Sequence, residues 1–355
     1  MQRRLTLALT LFTLPCLATP LAPADAVKFG PKAGAVLQRV WTISNKASLD
    51  DMQVSVGGNP QPMPGDMEMS QTMDTEIHVT DTFVELRAGA PKVLKRTFDK
   101  LSGAGSVSMS MAQIGDNSTD MSAESKLEGK TVKFSWNEED GAYDVAYDEG
   151  EGDGELLEKL VEDMDLRDVL PTEEVSAGST WEPSPNALRG LIAPGGGLAL
   201  VPKTAEGGAS SMGMGMERTG DLASMLNEEF EGKVQAEYLG LREVDGAKYG
   251  EIKLTFEIST SADLTDEVAG LAEEMPEGMG SMEVDHLDIE FSWSGEATIL
   301  WNIEAGHVAS AEAHGDQSMR VDSGMKMSMG SQTMNIETSM EMSGKVDSKL
   351  KVTRE

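Results

Sequence analysis

Cysteine is almost missing from this chain: Cys16 is the only one in 355 residues. Beyond the first segment there is no thiol, which excludes disulfides and thiolate metal sites and leaves stability to a packed core. Aromatic residues are scarce at 5%, and the apolar fraction is only 39%. Rings therefore cannot supply most of an interior. Positive charge is short as well, with 29 Lys and Arg against 61 Asp and Glu and a formal net charge of −32. Without a basic face, nucleic acid is a poor partner. Adsorption to an anionic membrane surface is disfavoured for the same reason. The acidity reads as self-repulsion that favours solubility, with cation scavenging as the sharper alternative. After the N-terminus no apolar run approaches the ~20 residues of a membrane-spanning helix. Catalytic signatures are also lacking: no GxSxG, SxxK, Walker loop or HExxH occurs. The histidines, His78, His286, His307 and His314, show no metal-ligand spacing on a helix. Asp285-His286 near Ser281 has triad composition, but strand neighbours point to opposite faces. We therefore expect a non-catalytic protein without a cofactor.

The N-terminus has three parts: Arg3 and Arg4, an apolar run from Leu5 to Leu17, and Ala24-Asp25-Ala26. Positive charge, a run too short to span a bilayer, and small residues at a cleavage site make a secretory signal peptide. We expect cleavage near Ala26 and export to the periplasm or beyond. Thr13-Leu14-Pro15 before Cys16 makes a poor lipobox.

What is present is two-residue rhythm. Around Asp245-Gly246, Val234, Ala236 and Tyr238 alternate with polar residues on one side, and Ile252, Leu254, Phe256 and Ile258 on the other. Asp-Gly supplies the positive φ of a tight hairpin, and period two puts each apolar set on one face. Gly240 is expected to mark a bulge. Similar alternation recurs from Val36 to Val352, including Phe134/Trp136, Tyr143/Val145/Tyr147, Phe291/Trp293 and Ile299/Trp301. Ser294-Gly295 and Ala305-Gly306 read as turns. Between Glu155 and Leu170 the spacing of Leu156, Leu157, Leu160, Val161 and Met164 turns helical, and Pro171 ends it. Residues 183–228, with Gly195-Gly196-Gly197 and SSMGMGMERTG, read as a Gly/Pro/Met-rich junction. The expected architecture is mainly β: curved antiparallel sheets, half-barrel or sandwich-like, in two halves, with one main helix near 155–170. The organisation is 1–26 signal peptide, 27–182 N-terminal half, 183–228 junction and 229–355 C-terminal half. Phe-Ser-Trp at 134–136 and 291–293, and Ser-Gln-Thr-Met at 70–73 and 331–334, raise an internal duplication.

Methionine is abundant, 24 in all, and often spaced by two: Met67/Met69, Met109/Met111, Met325/Met327/Met329 and Met340/Met342. In strands this spacing puts the sulfurs on one face, where a flexible side chain fills a core short of rings. Met212, Met214 and Met216 lie in a glycine-rich loop and are the candidates for a soft metal such as Cu(I). The acidic loop Asp148–Glu155 lacks the ligand order of an EF-hand.

Leu170–Trp181, LPTEEVSAGSTW, followed by YLGLREVDGAKYGEIKLTFEI, resembles a loose group of uncharacterised exported bacterial β-rich proteins. The resemblance implies a curved antiparallel sheet closed over a helix, as in periplasmic lipoprotein carriers, and carries no functional residues with it. The function expected is binding of an apolar or amphiphilic ligand, or of an envelope partner, in the concavity of the sheet. Candidate lining residues are Trp136, Tyr143, Tyr238, Phe256, Phe291, Trp293 and Trp301. The alternatives are a structural envelope protein without a ligand and a methionine-based copper binder.

Overall fold

The computed structural model describes residues 27–61, 67–111, 115–204, 229–244, 246–266, 281–329 and 332–354. The signal-peptide residues 1–26 and Met212, Met214 and Met216 fall outside them.

The strands are β1 (Val36–Val56), β2 (Asn59–Gln61), β3 (Glu68–Arg87), β4 (Ala90–Met111), β5 (Gly115–Glu124), β6 (Thr131–Asn137), β7 (Ala142–Tyr147), β8 (Thr180–Trp181), β9 (Val201–Thr204), β10 (Glu231–Val244), β11 (Ala247–Asp263), β12 (Ser281–Asn302), β13 (His307–Met329) and β14 (Gln332–Arg354). They form one antiparallel sheet in the order β7-β6-β4-β3-β1-β14-β13-β12-β11-β10-β8, with β2 on β1 and β5 between β4 and β9. The edge strands β7 and β8 are not paired with each other, so the sheet curves without closing. Both halves of the sequence enter this one sheet, joined where β1 pairs along β14 from Leu37↔Arg354 to Val56↔Ile336.

The hairpin at 244–247 forms as the Asp-Gly signal requires: Val244 pairs Ala247, Gly246 has φ +81, and the register shifts at Gly240. The strands β1, β3, β4, β12, β13 and β14, at 20–23 residues, are far longer than the usual ~5–6 residues. β12 runs unbroken for 22 residues through Ser294-Gly295, which is not a turn. Gly105, Gly295, Gly315 and Gly344 sit mid-strand in four neighbouring or near strands. A Cβ at any of them would run into the backbone of the adjoining strand. Glycine here permits the close approach of a tightly coiled sheet.

Residues 148–200 form a strap across the concavity. It leaves β7, reaches the opposite edge as β8 beside β10, and returns to β9 beside β5. The helix expected at 155–170 lies elsewhere. That stretch holds only 3₁₀ turns at Gly154–Leu157 and Arg167–Val169, and the short helix α1 is Arg189–Ile192. The reason is competition for backbone groups. The Val161 amide donates to Gly195 (2.9 Å), the Gly197 amide donates to Lys159 (2.8 Å), and the carbonyls of Val161 and Glu162 accept from Arg96. No i→i+4 ladder can form through residues so engaged.

One core joins the strap to strands from both flanks of the sheet, with Trp41, Phe83, Phe98, Phe134, Tyr238, Trp293 and Trp301 fully enclosed. A second, smaller cluster of Leu264, Ile289, Val321, Met340 and Met342 lies further along the strands, beyond the strap. The outer face is mainly polar, with Val84 and Leu239 as exposed apolar exceptions. Ser118, Ser108, Ser70, Ser48, Ser343, Ser318, Ser292 and Ser259 stand opposite one another in a single row across eight adjacent strands. Exposed pairs such as Lys253–Glu296 and Arg320–Glu341 flank it.

Candidate functional site

The inner face has two zones, set by what the alternating positions carry. In the strap-covered zone three inward positions are charged: Arg39 between Leu37 and Trp41, Asp81 between Val79 and Phe83, and Arg96 between Leu94 and Phe98. Each of the three is 1% exposed. Asp81 accepts from Arg39 and, on both oxygens, from Arg96 at 2.8 and 2.9 Å. Arg96 also donates to the Val161 and Glu162 carbonyls at 3.0 and 2.8 Å, which ties the strap to the sheet. Within the strap Arg167 pairs with Glu162, with Asp165 at 3.4 Å and with Asp163 at 3.6 Å. The guanidiniums of Arg39, Arg96 and Arg167 lie over Phe83, Phe134 and Phe29 at 5.6, 5.3 and 5.2 Å. Burial pushes the Glu162 carboxyl up. Burial, with Asp163 and Glu162 as like-charged neighbours, raises Asp165 well above the ordinary range against the pull of Arg167. Four carboxylates thus face three guanidiniums in a largely closed setting, with Asp163 alone of the carboxylates partly open to solvent. The cluster fastens the strap to the sheet.

The second zone lies beyond Asn45, where the strands outrun the strap. Its inward positions bring twelve methionines onto one face: Met52, Met67, Met69, Met73, Met109, Met121, Met319, Met325, Met327, Met334, Met340 and Met342. Met69 stands opposite Met109, Met52 opposite Met340, Met319 opposite Met342 and Met327 opposite Met334. Met340 and Met342 are buried and the other ten half-buried. Among the described residues no charged side chain occupies an inward position of this zone. A cleft of about 640 Å³ lies at the end of these strands, but its lining is mixed: Leu49, Met67, Met69 and Met109 are joined by outward serines and by Glu68 and Asp116, so it is not a pocket of the methionine face alone.

The aromatic residues proposed from sequence fall into three places. Tyr238, Phe256, Trp293 and Trp301 are packed in the main core, with Phe256 and Trp293 ring centroids 4.2 Å apart. Trp136 and Tyr143 pair edge-on at 5.2 Å near the β7 edge, and the Arg87 guanidinium lies 3.6 Å from the Trp136 centroid. There Tyr143 donates to the Pro91 carbonyl at 2.6 Å, and its hydroxyl is pushed up to about 12 by burial and the Glu162 carboxylate. Phe291 alone touches both the main core and the methionine-bearing cluster. The histidines stay apart: His314 meets Asp347 across strands, His286 faces Glu337 at 3.6 Å, His78 meets Glu76, and His307 is buried against the Val308 carbonyl. Among the described residues no cluster of three or more His, Cys, Asp or Glu is placed to hold a metal.

No family model and no curated protein matches the chain. Among solved structures it is similar to an outer membrane channel from Pseudomonas putida F1, at 8% identity and TM-score 0.19, covering 94% of this chain and 100% of that one. It is also similar to a Pseudomonas aeruginosa FadL homologue, at 8% identity and TM-score 0.13, covering 90% of each. Superpositions this loose define no common fold. The polar outer face and apolar inner face are the reverse of a lipid-spanning barrel, whose outward side is an apolar band. Among the described residues no helix is long and apolar enough to cross a membrane.

Proposed function

We propose that the protein is an exported, non-catalytic binder of an apolar or amphiphilic molecule, held on the methionine-lined inner face beyond the strap. The observation that carries this reading is the uncharged face itself, with ten of its methionines half-buried. Sites for such ligands are mostly apolar with few polar anchors. Methionine is the side chain that re-packs most readily around occupants of different shape. A curved sheet with a strap over one end gives a rigid wall, and the adaptable surface lies on that wall. Native mass spectrometry of the protein taken from its own host tests the proposal. A non-covalent organic adduct that is lost on delipidation supports it. A copper adduct points instead to the methionine-based metal reading. A bare polypeptide mass, together with no uptake of added lipid, overturns both.

A further inference from the structure

One indole in the core differs from its neighbours. Trp41, Trp181 and Trp301 each donate Nε1–H to a backbone carbonyl, of Gly190 at 3.2 Å, Val169 at 2.8 Å and Lys28 at 3.1 Å. Trp293 is fully enclosed, yet its Nε1 has no partner. A dry, unpaired N–H is destabilising, and a native fold keeps one only where something else is gained. The atom stands on the inner side of the sheet over Gly315, where a Cβ would come within 2.5 Å of it. Gln317, opposite Trp293 in the β12–β13 register, exchanges amide hydrogen bonds with Asn45 at 2.6 and 3.3 Å. A primary amide has two donors and two lone pairs, so this pair retains capacity for a further partner. These groups sit where the strap-covered core meets the methionine face, two residues from Phe291.

We propose that Trp293 Nε1, with the Asn45–Gln317 pair beside it, is the seat for the carbonyl oxygen of a neutral acyl amphiphile whose hydrocarbon chain runs along the methionine face. This rests on the binding function proposed above and adds the polarity and charge of the ligand. An unpaired donor selects an acceptor atom. The face offers no cation, so a carboxylate would be buried without a counter-ion, and the net charge of −32 repels it from a distance. An ester or amide head group meets both conditions.

The test uses the delipidated full-length mature protein and three probes of equal chain length: monoolein, oleate and 1-octadecene, titrated by native mass spectrometry at neutral pH. Trp293→Phe removes the donor and also leaves a small cavity where the larger ring stood, so octadecene serves as the control for lost packing. The expected result is a roughly three- to tenfold weakening of monoolein, the worth of one hydrogen bond, with octadecene unchanged. The ligand-free variant melts below wild type because ring volume is lost from the core, so binding is read at a temperature where both proteins are folded. Equal loss for both probes, or none for monoolein, overturns the seat while leaving the binding function intact. Should the variant not fold, wild type decides: monoolein must bind more tightly than both octadecene and oleate, and parity or a preference for oleate overturns the proposal. If no probe binds wild type, the function fails along with the seat.

Discussion

Asp81→Asn is the sharpest perturbation of the strap. The carboxylate is 1% exposed, takes three N–H groups from Arg39 and Arg96, and so neutralises two buried cations. The remaining carboxylates, Glu162, Asp163 and Asp165, are engaged by Arg167. Asparagine keeps the shape, but it turns one acceptor into an amide that faces a guanidinium and leaves both arginines without their nearest counter-charge. Breaking a buried pair in this way costs about 3–5 kcal/mol, a large part of the ~5–15 kcal/mol of a typical fold. The control is Lys349→Gln, which breaks the exposed Lys349–Glu312 pair, 57% and 59% accessible, and should cost about 0–1 kcal/mol. Urea unfolding followed by circular dichroism measures both. Because Arg96 also holds the Val161 and Glu162 carbonyls, limited proteolysis of Asp81→Asn should cut first between residues 148 and 200. A loss no larger than that of the control, with the strap still resistant, would refute the role given to the cluster.

Three further outcomes follow from the same structure. Asp165 and Glu162 titrate above their unfolded values in the folded chain. Their contribution to stability is therefore complete below the unfolded value and is lost as pH rises through the folded one. Urea unfolding of Asp165→Asn should accordingly improve relative to wild type more at pH 7 than at pH 4.5, and an equal difference at both pH values contradicts this. Gly344→Ala places a methyl against the Lys46 carbonyl and should cost about 3 kcal/mol or more. Gly30→Ala meets nothing and should stay within about 0.5 kcal/mol by thermal melting. Met69→Glu with Met109→Glu puts adjacent carboxylates on the inner face, and should reduce monoolein binding at least ~tenfold while the β signal in circular dichroism persists.

Much of the sheet is visible in the sequence because period two survives wherever one face is buried. The hairpin at Val244–Ala247 and the bulge at Gly240 are both announced by their own residues. Strand length is not. Gly295 looks like a turn in isolation, and only its neighbours Gly315 and Gly344 on β13 and β14 show that it serves close packing inside long strands. The segment 155–170 misleads in another way. Its apolar spacing is helical, but Arg96 and Gly195 claim the backbone groups a helix needs, and no local signal reveals those distant partners. The ion cluster did leave a trace: Arg39, Asp81 and Arg96 each occupy an inward phase between large apolar residues. Charges in that phase on three strands mark a buried network. The shared face of the methionines follows from their spacing; that it is free of charge and lies beyond the strap required the register. The two Phe-Ser-Trp motifs fall on β6, next to an edge, and on β12, well inside the sheet, which are not equivalent places.

Oxidation footprinting of the methionines reads occupancy of the binding face residue by residue. The delipidated protein is exposed to dilute peroxide with and without saturating monoolein, and each sulfoxide is counted by peptide mass. We expect Met69, Met109 and Met319 to oxidise in the free protein and to be protected together by the lipid, with Met164 in the strap inert in both states. Unchanged oxidation of those three at saturating lipid would contradict the binding face.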